Sequence, residues 1–388
     1  MVSVYPKPVR YNIISVVQKV FSRIITFDLM RGYFLVAIIL DHLAFFPNGL
    51  DWWGARGELF VTTAEGFFLI SGIVLGVVRG AKLIDQPLKK VSVLLLKRSL
   101  QLYLTSVVLV LLFTFLGWWV FTGHPGLKYG IAPPDTNILT LLWQTFTLQY
   151  FYGWADYLRL YALFLLVSPL AFWLLRRGWW YILLAGSIAT WLVFPAGPQV
   201  PDMTQELLQP LSWQLIFFAG VIIGFYWQHI TTWWRALQPT HRRTISFSIL
   251  CIALLTLLVN VVSAFGSQYF DLSAYNMTAF HHYEIYVQYF DKERLPLARL
   301  VLFAVWFAAA FLLFHRFRAI ITRWLGWLLL EFGTNSLFVY TMHAIVIFFV
   351  HVYLLPGSLL FNLAVSLGCI AVIYGSLKIP FLKKIIPR

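Results

Sequence analysis

Arg31 and His42 stand eleven residues apart in one apolar run, FDLMRGYFLVAIILDHLAFF. In a helix, eleven residues make three turns to within about 20°, so both side chains fall on one stripe, ~16 Å apart along the axis. A guanidinium can hold a phosphate. A neutral imidazole can take a proton from a hydroxyl. The spacing therefore suits an anionic donor held by its phosphates at one membrane face, with its reactive end reaching up the stripe to a base near the midplane. Asp28 lies one turn before Arg31 and can pair with it. Asp41 precedes His42 and points about 100° away. The same residues also fit a buried His–Asp structural pair or the proton relay of a transporter.

Charges inside a bilayer cost at least ~2.5–3.5 kcal/mol each, so every intramembrane ionisable group is a functional candidate. Glu65 opens the second apolar run. It can orient an imidazole or receive its proton, or it can simply be bonded to backbone. Ser71 lacks the G-x-S-x-G elbow of a nucleophile and reads as packing. Gly72, Gly76 and Gly80 recur every four residues. Such a stripe admits another helix closely, within the chain or in a homodimer. The segment from Arg79 to Arg98 also holds Lys82, Lys89, Lys90 and Lys97, the densest basic patch. It can seat a nucleotide-phosphate donor. Arg98, at the start of a span, can turn into the bundle. His343 falls mid-span at about the depth of His42. Asp156, Tyr157 and Tyr161 lead the fourth span, and Trp213 and Gln214 open the sixth, near the outer mouth where an acceptor would enter.

The elements that position these groups follow from composition. The chain has 388 residues, 60% hydrophobic and only 11% charged, with mean hydropathy +0.78. A soluble domain carries roughly a quarter charged residues and cannot hide this much apolar surface. The fold expected is all-α: a polytopic integral membrane protein. Ten spans of about 20 residues are read at 32–50, 59–78, 99–121, 158–175, 178–195, 211–229, 245–265, 298–314, 334–354 and 358–377. With both termini cytoplasmic, all but six of the 29 Lys and Arg lie on the inner side; the six are Arg56, Lys128, Arg159, Lys292, Arg294 and Arg299. The net charge of +14 is thus a topology signal and calls for no nucleic acid. No cleavable leader is evident. Residues 11–26 place Ile13, Val17, Val20, Phe21 and Ile24 on one face, an amphipathic helix lying on the inner surface. The expected division is a cytoplasmic segment, 1–27, and one multi-span domain, 28–388. The outer segments 122–157 and 266–297 are rich in aromatics, which suit either an interfacial belt or a carbohydrate face. Cys251 and Cys369 have no disulfide or metal spacing, and there is no nucleotide-loop motif.

At these residues the sequence resembles the OpgC-type membrane proteins of the acyltransferase-3 superfamily. The superfamily's first span carries a basic residue, ten residues, then His, matched by Arg31 and His42 after an Asp-x-x-Arg-Gly start at Asp28, Arg31 and Gly32. The branch-level likeness includes Asp41–His42, Glu65 to Gly72, KRSLQLYL at 97–104, DYLRLYALFLLVSPL at 156–170 and PLSWQLIFFAG at 210–220. It continues through DKERLPLARL at 291–300 and GTNSLFVYTMH at 333–343, and so covers about 26–345. One departure stands out: the superfamily's Arg-x-x-Arg at the third span is here Arg98 and Gln101, with Lys97 or Lys90 as substitutes.

The resemblance implies a membrane O-acyltransferase in a bacterial inner membrane. It would move an acyl group, succinyl or acetyl, from cytoplasmic acyl-CoA to a hydroxyl of an extracytoplasmic glycan such as a periplasmic glucan. Arg31, Asp28, Arg98 and Lys97 would serve the donor. His42 would be the base, with Asp41 and Glu65 setting its tautomer and charge. His343 or Asn335 would serve a tetrahedral oxyanion. Direct transfer is expected, with an acyl-histidine intermediate as the alternative. The expected partners are membrane lipids, acyl-CoA and the glycan acceptor, with acyl-CoA a co-substrate and no tightly bound cofactor or metal. The competing reading is a transporter or flippase using midplane Asp, Glu and His.

Overall fold

The computed structural model describes residues 24–124, 126–127, 131–154, 156–196, 202–266 and 279–386. The expected surface helix over 11–26 lies outside these residues except at its last three positions. Every regular element described is helical. α1 spans Ile25–Leu43, and α2 spans Thr63–Leu75 with a π-helical continuation over Gly76–Ala81. α3 spans Leu88–Trp119, α4 Ile138–Phe146, α5 Asp156–Arg176, α6 Trp180–Ala196, α7 Asp202–Phe225 and α8 Trp227–Ala236. α9 spans Pro239–Phe265, α10 Ala279–Tyr289, α11 Leu297–Thr334, α12 Ser336–Tyr353, α13 Leu359–Ser376 and α14 Leu382–Ile385.

Seven of these stretches are long and apolar enough to cross a membrane: Thr63–Ala81, α3, α5, α9, α11, α12 and α13. The segment expected as a span at 211–229 is bent, with a break after Phe225. Gln209–Phe225 and α8 meet at 67° and make an eighth crossing if the bent pair is one span. The count thus falls short of the ten expected, for two reasons. The apolar stretch of α6, Trp180–Val193, is short. α1 carries Asp28, Arg31 and Asp41 within 19 residues, too many charges for a helix that meets lipid directly.

Apolar side chains face outward on the long helices. Leu254, Leu255 and Leu258 of α9, Val108 of α3 and Leu360 of α13 are all more than half exposed. Surface of this kind is stable against hydrocarbon and would aggregate in water. The chain is a multi-pass membrane protein.

α1 is the enclosed element. It packs against α11 most extensively, and also against α2, α12 and α13. The approach is set by glycine. A Cβ at Gly32 would overlap the Leu329 carbonyl, and one at Gly333 would overlap the Asp28 carbonyl. The Gly72–Gly76 stripe is used inside the chain. Gly72 lies on Phe217, Gly220 and Val221 of α7, and Gly220 and Gly224 lie reciprocally on Leu69 and Ile73. Backbones in such contact gain dispersion and weak C–H···O bonds over a long crossing.

The α1–α2 connection is tied down at three points. Asn48 Nδ2 donates to Ser366 Oγ (3.1 Å), Asn362 Nδ2 to the Pro47 carbonyl (3.0 Å), and the Phe60 N–H to Asn260 Oδ1 (2.9 Å). Asp51 in this loop accepts from the Asn48 N–H and from Arg56 Nε at 2.8 Å. Burial pushes its carboxyl up, but the Asn48 N–H and the Arg56 guanidinium outweigh that and hold it below the ordinary carboxylate range.

Overpacking a close crossing costs ~1–3 kcal/mol or more. Gly72→Val and Gly333→Val should each lower the apparent melting temperature in detergent by several degrees. Gly368→Val, at a helix position with open space around it, should leave that temperature within about a degree.

Candidate functional site

α1 begins and ends earlier than its sequence pattern suggests. Asp28 sits in the first turn, where a carboxylate complements the helix N-terminus. The helix stops at Leu43, because Ala44 turns left-handed (φ 55°) and its N–H closes on the Leu40 carbonyl. The His351 imidazole caps the end, Nε2 donating to the Leu43 carbonyl at 2.9 Å. His42 therefore lies in the last turn of α1, not in the middle of a 32–50 helix. Residues 31 to 42 are continuous helix, so Arg31 and His42 lie on one stripe.

At the Arg31 end is a cavity of about 450 Å³. Arg31, Arg79, Lys97 and Arg98 line it, with Gln101, Tyr161 and Ser336. No Asp or Glu is among its lining residues. Arg31 donates to Ser336 Oγ at the start of α12, and its guanidinium lies 5.9 Å from the Phe67 ring centre. Arg98 Nη1 donates to Gln101 Oε1 at 2.7 Å, so the glutamine orients the guanidinium rather than adding a cation. Arg79, read from sequence only as part of a basic loop, is the fourth cation. Asp28 is buried in the first turn of α1, outside the lining. Such a concentration of donors and positive charge is suited to hold a polyanion.

At the other end, His42 Nδ1 is 3.0 Å from His343 Nε2. The rings are 5.2 Å apart and inclined by 34°. His343 is fully enclosed, and its Nδ1 bonds to the Tyr340 backbone carbonyl one turn earlier. The Tyr340 hydroxyl donates to Asp156 Oδ1 at 2.9 Å, and its ring stacks on Tyr157 at 5.5 Å. Tyr157 in turn lies 5.7 Å from Trp213. Asp156 and Trp213 are thus joined to the His pair through an aromatic wall. Neither Tyr340 nor Ser336 stood out in the sequence. The signal available for both was their membership of the α12 run around His343.

Other expected site residues lie elsewhere. Tyr161 lines the Arg31-end cavity, not an outer mouth, because it is more than one helical turn further along α5 than Asp156. Gln214 bonds the Ser187 carbonyl at 2.7 Å and the Leu211 carbonyl at 3.1 Å, fastening α6 to α7. Asn335 sits at the α11–α12 junction. Its Nδ2 donates to the Glu331 carbonyl and to Thr334 Oγ1, and two helical turns, ~12 Å, separate it from His343. An oxyanion formed at His42 is out of its reach. Ser71 bonds the Phe67 carbonyl of its own helix.

Glu65 is committed to a different partner. Its Oε2 accepts from the Thr62 N–H and hydroxyl at the start of α2. Its Oε1 accepts from Arg299 Nε at 2.5 Å, and Arg299 Nη1 donates to the Phe290 carbonyl. Both ion-pair side chains are fully buried. Sequence reading placed Arg299 near the outer boundary for topology alone, although a charge inside an apolar run calls for a partner. Asp41 lies against the 54–57 loop. A Cβ at Gly54 would come within 2.7 Å of its Oδ1.

The family model described as OpgC protein matches residues 23–379. That is nearly the whole chain, and the protein belongs to that family. A search of curated proteins finds no match.

Removing one partner of a buried ion pair strands the other and costs ~3–5 kcal/mol, whereas replacing both by apolar groups can be neutral. Glu65→Gln and Arg299→Met should each sharply reduce the yield of monodisperse protein and its melting temperature. The double variant Glu65→Met/Arg299→Met should recover most of the loss.

Proposed function

From the family membership and the geometry of α1, we propose that this protein is a membrane O-acyltransferase. It moves an acyl group, succinyl in preference to acetyl, from cytoplasmic acyl-CoA to a hydroxyl of an extracytoplasmic glycan, with periplasmic glucan the first acceptor to test. The observation that carries the reading is one helix that bears a guanidinium in a cation-lined cavity and, three turns on, an imidazole hydrogen-bonded to a second imidazole.

In this account the Arg31 end faces the cytoplasm, as the distribution of Lys and Arg favours. Arg31, Arg79, Lys97 and Arg98 hold the phosphates of CoA. The pantetheine arm runs along α1 for the ~16 Å to His42. The acceptor enters from the opposite end, on the side of Asp156, behind which the Tyr157 and Trp213 rings are buried against Tyr340 and Phe68. His42 takes the hydroxyl proton as the acceptor oxygen attacks the thioester carbonyl carbon. The tetrahedral intermediate then expels the thiolate, which takes the proton from His42 and leaves as CoA. A new ester bond replaces the thioester, and no redox partner is needed.

The test is protein in nanodiscs, incubated with succinyl-CoA or acetyl-CoA, with and without glucan, following CoA release and glycan mass. Acyl gain with succinyl-CoA is expected, with kcat reduced about 10²–10⁴-fold in His42→Ala. Arg31→Gln and Arg98→Gln should mainly raise the donor KM. No CoA release from folded protein with either donor would overturn the reading and favour transport.

A further inference from the structure

The hydrogen-bond chain ending at His42 determines which of its nitrogens carries the proton. The Tyr340 backbone carbonyl can only accept, so His343 Nδ1 bears a hydrogen in that bond. A neutral imidazole has one such hydrogen, and His343 Nε2 is then a lone pair. His42 Nδ1 faces that lone pair at 3.0 Å and must be the donor. In neutral His42 the only ring proton is therefore on Nδ1, and Nε2 presents a lone pair.

We propose that His343 is a positioning residue that holds His42 in the Nδ1–H tautomer, so that Nε2 is the atom that takes the acceptor's proton. The proposal rests on the acyltransferase reading and assigns a role within it. It also removes the oxyanion role expected for His343. With Nδ1–H given to a carbonyl and Nε2 accepting from His42, the ring has no N–H left for an oxyanion.

The rest of the site holds His343 rigid. It is fully buried, its ring packs 4.5 Å from that of Tyr340, and Tyr340 is pinned through its hydroxyl to Asp156. A neutral orienting group also suits the surroundings. A carboxylate here would carry a full charge into an apolar bundle before any reaction begins. The imidazole accepts both from neutral His42 and from the imidazolium formed in transfer, where the bond becomes charge-assisted and stronger.

The direct test is ¹⁵N NMR of ring-labelled histidine in the nanodisc-held protein at pH 8.5, with His42 signals identified by their loss in His42→Asn. A protonated Nδ1 and unprotonated Nε2 at His42 are expected. A His42 proton on Nε2 in the wild-type protein overturns the proposal whatever the activity. Kinetics give the second arm. A wrong tautomer in a serine-protease triad costs about 10⁴ in kcat, so His343→Ala should lower kcat about 10²–10⁴-fold while donor KM changes less than about threefold. His343→Gln keeps an acceptor oxygen and should recover at least about tenfold of that loss. Equal losses in the Ala and Gln variants, both folded, would assign His343 to packing. If the wild-type protein transfers no acyl group, the functional reading fails and the NMR result still decides the tautomer.

Discussion

A helix with Asp28, Arg31, Asp41 and His42 in nineteen residues cannot stand in hydrocarbon on its own. Each polar group stranded there would cost several kcal/mol. The rest of the bundle answers that constraint. α11 comes to backbone contact through Gly32 and Gly333, and α12 supplies Ser336 to Arg31, His343 to His42 and His351 to the end of the helix. The elements that make α1 tolerable in the membrane are the same ones that build the site. Positioning and stability are not separable here, because a looser bundle would admit lipid or water to the same groups.

The buried charges then divide by their surroundings. Glu65 and Arg299 are opposite in sign, in contact, and completed by Thr62 and the Phe290 carbonyl. They form a closed clamp between α2 and α11. The cavity at Arg31 is the reverse: four cations surround about 450 Å³ with no carboxylate in the lining. Like charges gathered at one cavity repel one another. An anion held there would offset that repulsion, as the proposed donor does.

Much of this was legible in the sequence. The helical membrane class followed from composition, and the Arg31–His42 stripe followed from helix periodicity. Nearly all the expected spans recur as helices, although α1 is displaced toward the N-terminus because Ala44 turns the chain where hydrophobicity alone continues. What the sequence did not reveal is pairing across long separations. Glu65 looked like a partner for His42 because both were buried ionisable groups, but Arg299 lies 234 positions away and was counted toward topology. His343 was at the right depth, yet only the packing of α12 on α1 brings its Nε2 to His42. Tyr161 is expected at the acceptor mouth and Asn335 at the oxyanion, and the rise per turn carries both toward the Arg31 end.

The central claim is that donor and base share α1, with the donor's phosphates at Arg31 and its thiol end at His42. The most direct measurement is an electron cryomicroscopy structure of the protein with CoA bound in nanodiscs. The account predicts phosphate density among Arg31, Arg79 and Arg98, and the pantetheine arm ending within about 4 Å of His42, van der Waals contact. CoA bound at the Asp51–Arg56 end, or an arm leading away from the His42–His343 pair, would contradict it.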